Sequence, residues 1–299
     1  MRTATSFAFA CLSVLVMAAC TDHKQAPEAG FVLGGFATPE SVLHDPVDDV
    51  YLVSCIDGSP TAKDGRASIQ RIEPSGRKVD ADFIRGGVGG VTLDAPKGMA
   101  LAGDVLWVAD IDVLRRFDRA TGKPLGDVAV PGATFLNDVS VAPDGSVWVT
   151  DTGWDAGMRP AGNDSIHRVD PAGTLTVVAK SPELANPNGI VATATGVYCV
   201  DLGTGWFSQV ERTGRRTPLT KAPSGGLDGL VRLPDGRWLA TSWEGGSVLA
   251  FDRQGGVRTV VEGLDKPADL GLDALRGRLL VPLFAKGEVH VIVLGREGT

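Results

Sequence analysis

Four oxygen-bearing side chains occupy the same place in a repeated motif. Glu40 stands in Thr-Pro-Glu-Ser-Val, Asn137 in Phe-Leu-Asn-Asp-Val, Asn188 in Asn-Pro-Asn-Gly-Ile and Asp228 in Gly-Leu-Asp-Gly-Leu. Asn and Asp are turn formers, so any one of them alone could serve nothing but its own loop. Four at one offset in separate repeats point to one shared locus. Carboxylate and amide oxygens gathered there form the ligand set of a hard cation, Ca²⁺ first and Mg²⁺ or Mn²⁺ next; Zn²⁺ is least favoured, because no His or Cys stands at these places. The same offset in the two remaining repeats holds Lys97 (Ala-Pro-Lys-Gly-Met) and Ala268 or Asp269 (Lys-Pro-Ala-Asp-Leu). Lys97 and Asp269 could pair across the locus, or Lys97 could hold an anionic group of a substrate.

Positioning such a set requires a repeating architecture, and the chain has one. Trp107-Val108-Ala109-Asp110, Trp148-Val149-Thr150-Asp151, Tyr198-Cys199-Val200-Asp201 and Trp238-Leu239-Ala240-Thr241 recur 41, 50 and 40 residues apart, and Tyr51-Leu52-Val53-Ser54 and Leu279-Leu280-Val281-Pro282 extend the series to six. Turns such as Pro143-Asp144-Gly145 and Pro234-Asp235-Gly236 precede the runs, and a third and a fourth apolar run follow. Four short strands per unit, six times over, predict an all-β, six-bladed β-propeller with four antiparallel strands per blade. The last repeat, ending at Glu288–Val293, lacks a fourth strand. Phe31-Val32-Leu33 at the other end can supply it and close the ring. In such a ring the residues entering each first strand converge on the axis.

Two insertions, Cys55 to Arg66 and Thr152 to Asn163, fall between second and third strands, on the face where the oxygens gather. Trp154, Asp155, Met158 and Arg159 are the candidates there for a substrate wall, since loops over a pocket commonly select the substrate. Trp107, Trp148 and Trp238 sit at second-strand spacing and read as blade core. His23, His44, His167 and His290 fall away from the axis and read as structural or surface residues.

The 299 residues include 39 Gly and 18 Pro, which suits tight turns and argues against a helical bundle. A hydrophobic fraction of 43% excludes a disordered chain, and a net charge of −7 argues against a nucleic-acid surface. Met1 and Arg2 precede an apolar run from Phe7 to Ala19, too short to span a membrane. The run ends in Met17-Ala18-Ala19-Cys20, which resembles a bacterial lipobox. Residues 1–19 thus read as a signal peptide, Cys20 as the lipidated residue, 20–30 as a tether and 31–299 as the propeller. This predicts a monomer anchored by lipid at a periplasmic or cell surface, with the outer membrane favoured in a Gram-negative cell because Thr21, not Asp, follows Cys20. The alternative is a soluble secreted protein cut near Ala19. Cys55 and Cys199 fall three repeats apart, which argues against a disulfide.

Residues 31 to 295 resemble the senescence marker protein/gluconolactonase/luciferin-regenerating group of six-bladed propellers. The resemblance rests on Glu40 after a Pro, Asn137, Asn188-Gly189 and Asp228-Gly229 in the first, third, fourth and fifth repeats. Diisopropyl fluorophosphatase and paraoxonase are similar at greater distance. Phe135-Leu136 stand where hydrolases of the group commonly carry an Arg. The resemblance implies a divalent-metal-dependent hydrolase of lactones or related esters acting on a small-molecule substrate. Glu40, Asn137, Asn188 and Asp228 would be metal ligands, Asp228 also general base or nucleophile, and Asn137 also a substrate contact; the repeat offset and the insertions add Lys97, Trp154, Arg159 and Asp269 as candidate substrate contacts. A non-catalytic, surface-tethered propeller binding a sugar, peptide or partner protein is the alternative.

Overall fold

The computed structural model describes Met1 and residues 30–252 and 254–295. The expected signal peptide beyond Met1, Cys20 and nearly all of the expected tether lie outside the described residues.

Six four-stranded antiparallel sheets stand around one axis. Their innermost strands are Pro39–Asp45, Pro96–Ala102, Leu136–Val141, Pro187–Thr193, Leu227–Arg232 and Gly271–Asp273, one for each of blades one to six. Blade six is closed as the sequence predicts: Phe31–Gly34 pairs antiparallel with Glu288–Val293, with Phe31 opposite Val291 and Gly34 opposite Glu288. The N-terminal strand thus covers the edge of the last sheet.

Apolar side chains that alternate along the strands pack between adjacent blades rather than in one central core. Trp107, Leu114, Leu136 and Val149 join blades two and three. Trp148, Ile166, Ile190 and Cys199 join three and four. Trp238 packs with Phe207 and Phe251 between four and five. The three tryptophans are blade core, as their spacing predicts. Cys55 and Cys199 are buried free thiols whose burial pushes Cys55 up to about 12 and Cys199 higher still.

The second strands do more than fill blades, because their polar ends pin the loops that lead to the axis. Asp110 accepts from the Ala95 N–H at 2.7 Å, and Asp151 from the Phe135 N–H at 2.9 Å. One residue earlier, Thr150 accepts the Asp138 N–H at 3.0 Å and donates to the Asn188 carbonyl of the next blade at 2.8 Å. Thr241 repeats the pattern between Gly229 and Ala268. Each hydroxyl satisfies backbone groups that sit too near the axis to pair in a ladder.

Candidate metal centre and substrate pocket

Between the innermost and the second strand, regular pairing fails at one point in each of the first five blades, and that point holds the candidate ligands. The registers break between Pro39 and Ser41, Pro96 and Met99, Leu136 and Val139, Pro187 and Ile190, and Leu227 and Leu230. A bulge places two consecutive residues against one partner and re-aims their side chains. Glu40, Lys97, Asn137, Asn188 and Asp228 form one ring at these breaks; Ser41, Gly98, Asp138, Gly189, Gly229 and Asp269 form a second ring behind it. The second ring is tight. A Cβ on Gly98 would lie 2.4 Å from Asp138 Oδ1, and one on Gly229 2.6 Å from Asp269 Oδ1, so glycine is needed there for close approach.

The first ring floors a cavity of about 550 Å³ in which Glu40, Lys97, Asn137, Asn188 and Asp228 all take part. All five are buried, none more than 5% exposed. Thr152 fixes the amide of Asn137. Its hydroxyl donates to the Pro187 carbonyl at 2.9 Å, so it accepts from Asn137 Nδ2 at 2.9 Å and leaves Asn137 Oδ1 as the unspent atom. Glu40 Oε2, Asn137 Oδ1, Asn188 Oδ1 and Asp228 Oδ1 are buried without a hydrogen-bond partner in the protein. Four such oxygens at one cavity floor are costly unless something positive sits among them. The donor set therefore fits a hard divalent cation, whose charge two carboxylates balance. Among the described residues no three His, Cys, Asp or Glu gather into a metal site, and two of the four oxygens here belong to amides.

The charges show the same strain. Burial, then Asp228 and Asp269, hold Glu40 well above the usual carboxylate range. Burial and Asp269 do the same to Asp228. Lys97 is lowered by burial and partly held up by Glu40. Its ammonium donates to the carbonyls of Pro60 and Ala95, each at 3.1 Å, and lies 4.3 Å from the Phe135 ring centroid.

Residues 132–267 match the family model described as the SMP-30/Gluconolactonase/LRE-like region. The chain carries an SMP-30/gluconolactonase/LRE-like region. The match takes in Asn137, Asn188 and Asp228, and the propeller adds Glu40 from blade one. Solved structures share the fold of this chain at low identity. A gluconolactonase of Xanthomonas campestris is 20% identical, with 88% of this chain and 89% of that one covered and a TM-score of 0.67. A luciferin-regenerating enzyme is 15% identical, with coverage of 89% and 96% and a TM-score of 0.67. A regucalcin of Agrobacterium tumefaciens, described as a calcium-binding protein, is 19% identical, with coverage of 86% and 90% and a TM-score of 0.61. Among curated proteins, no sequence matches this one.

The cavity does not gather every residue singled out from the sequence. Both insertions reach it, through Ile56 and Pro60 of the first and Trp154, Met158 and Pro160 of the second. Arg159 is exposed and pairs with Asp155 at 3.1 Å, outside the cavity lining. Asp269 does not meet Lys97. It sits in the second ring, accepts from Ser41 Oγ at 2.5 Å, and borders a separate cavity of about 410 Å³ at the far end of the same strands. At blade six it is Ala268, without a ligand atom, that follows Pro267 as Glu40 follows Pro39. Burial raises Asp269 to about 7. Asp138 is a buried second-ring acid that sequence reading left aside. Its signal was present: it follows Asn137 as Asp269 follows Ala268.

Proposed function

We propose that this protein is a divalent-metal-dependent hydrolase of lactones or related esters. The observation that carries the reading is the four buried, unpartnered oxygens of Glu40, Asn137, Asn188 and Asp228 at the floor of one cavity. Ca²⁺ is the first choice, because every donor is a hard oxygen and two of them are neutral amides. The calcium-binding description of the regucalcin neighbour agrees with that choice.

A cation bound there would polarise the substrate carbonyl and steady the negative charge that develops on its oxygen. The chain's own residues supply the rest. Asn137, locked by Thr152, orients its oxygen without a conformational search. Asp228 is a buried carboxylate of the cavity floor and the group placed to act as general base. It takes the proton of the attacking water as the new carbon–oxygen bond forms. It returns that proton to the leaving oxygen as the acyl–oxygen bond breaks, giving a hydroxy acid from a lactone. Lys97 offsets part of the negative charge of Glu40 while its ammonium stays tied to Pro60 and Ala95.

We further propose that an acyl anchor on Cys20 holds the propeller, as a monomer, at a periplasmic or cell surface, supported by the Met17-Ala18-Ala19-Cys20 pattern. The catalytic proposal is tested with a panel of lactones and aryl esters, assayed with Ca²⁺, Mg²⁺, Mn²⁺ or Zn²⁺ and again after chelation. Turnover that vanishes with chelator and returns with metal is expected. Absence of metal-dependent turnover across the panel would contradict the proposal.

A further inference from the structure

We propose that the substrate is a lactone or ester whose non-reacting part is apolar, an aryl- or alkyl-substituted ring rather than a polyhydroxylated sugar lactone; this rests on the hydrolase reading of the same cavity. Above the floor, the walls are Ile56, Phe135, Trp154, Met158, Trp243 and Phe284. Two aromatic pairs face each other across the ring. Phe135 and Trp154 of blade three have centroids 5.5 Å apart at 56°. Trp243 of blade five and Phe284 of blade six have centroids 5.2 Å apart at 63°. Blades three and six are opposite in a six-membered ring, so a flat apolar group can be gripped from two sides.

Apart from the indole N–H of Trp154 and the Nδ2 of Asn188, which are buried without a partner, the polar groups near these walls are largely spent. Lys97 gives two of its N–H groups to Pro60 and Ala95 and turns its charge to the face of Phe135. Asn186 gives its amide to the Thr152 carbonyl at 2.9 Å. Glu244 is exposed at the rim. The four hydroxyls of glucono-1,5-lactone would leave water and find few replacements, and each one sequestered without a partner weakens binding. An aryl or alkyl group at the same place gains by leaving water. Phe135 has a double role: it carries apolar wall, and it occupies Lys97 with a cation–π contact, turning the one buried cation of the floor away from substrate recognition.

The test compares 3,4-dihydrocoumarin with glucono-1,5-lactone on the Ca²⁺-saturated protein, and separately measures binding of their lactam counterparts by calorimetry. kcat/KM is expected to favour dihydrocoumarin by about 100-fold or more, the discrimination an apolar pocket reaches against an added hydroxyl. The aryl lactam is expected to bind at least about tenfold more tightly than the sugar lactam. Equal or better use of the sugar lactone, or equal or tighter binding of its lactam, would overturn the proposal. If neither lactone is hydrolysed, the hydrolase reading falls, while the two lactams still decide which ligand class the cavity takes; binding of neither overturns the proposal as well. Trp243→Ala, at the half-exposed rim, should raise KM for dihydrocoumarin about tenfold with kcat held, because it removes contact shared by ground and transition states. An unchanged KM would overturn the grip assigned to that pair.

Discussion

Asp228 and Asn188 share a cavity floor and an unpartnered oxygen, yet differ in charge, and the difference separates their roles. Asp228→Asn keeps an oxygen near the cation and removes the base. It should lower turnover at metal saturation by about 100-fold or more, with a smaller loss of metal affinity. Asn188→Ala removes a neutral oxygen and leaves the proton chemistry in place, so affinity should fall further than saturated turnover. Metal titration of both variants, each followed by assay at saturation, checks the split; full turnover by metal-saturated Asp228→Asn would show that another group takes the proton. At this scale the sequence was most legible where one offset recurred, as for Glu40, Asn137, Asn188 and Asp228. Arg159 and Asp269 were misplaced for two physical reasons. Arg159 finds Asp155 four residues away within its own loop, and Asp269 lies one residue beyond the offset, which Ala268 occupies, and accepts from Ser41 instead.

The innermost strands owe their irregularity to the second strands, and Thr150 is the clearest instance. It accepts the Asp138 N–H and donates to the Asn188 carbonyl, so one hydroxyl joins two blades directly behind two candidate ligands. Thr150→Val is nearly isosteric but leaves both backbone groups unpaired in a buried place. It should destabilise the protein by about 1–3 kcal/mol, measured by denaturant unfolding. A change within error would mean that the bulge holds without this link. The hydroxyl and carboxylate ends of the second strands were visible in the sequence as Ser54, Thr150, Asp151 and Thr241. Their task was not, because it consists of bonds to residues 12 or more positions away and to the next blade. Strand number and blade order were readable from period alone, since each blade repeats the same alternation of turn and apolar run.

The ring places one bulge with a candidate ligand from each of blades one, three, four and five around a single axis, and its closure by Phe31–Gly34 ties the first repeat to the last. The described strand begins about ten residues after Cys20, so an anchor at that residue would hold the propeller close to a membrane surface without occupying the ring. Cys20→Ala should release the protein from the membrane fraction of the producing cell into the soluble fraction; an unaltered membrane fraction would contradict lipidation there. The central claim is that Glu40, Asn137, Asn188 and Asp228 hold one divalent cation, and calorimetric titration of chelator-stripped protein with Ca²⁺ tests it most directly. One site per chain is predicted, weakened at least about tenfold in Glu40→Gln, which removes one of the two balancing charges. No saturable binding of Ca²⁺ to the wild-type chain, or identical binding by Glu40→Gln, would contradict the claim.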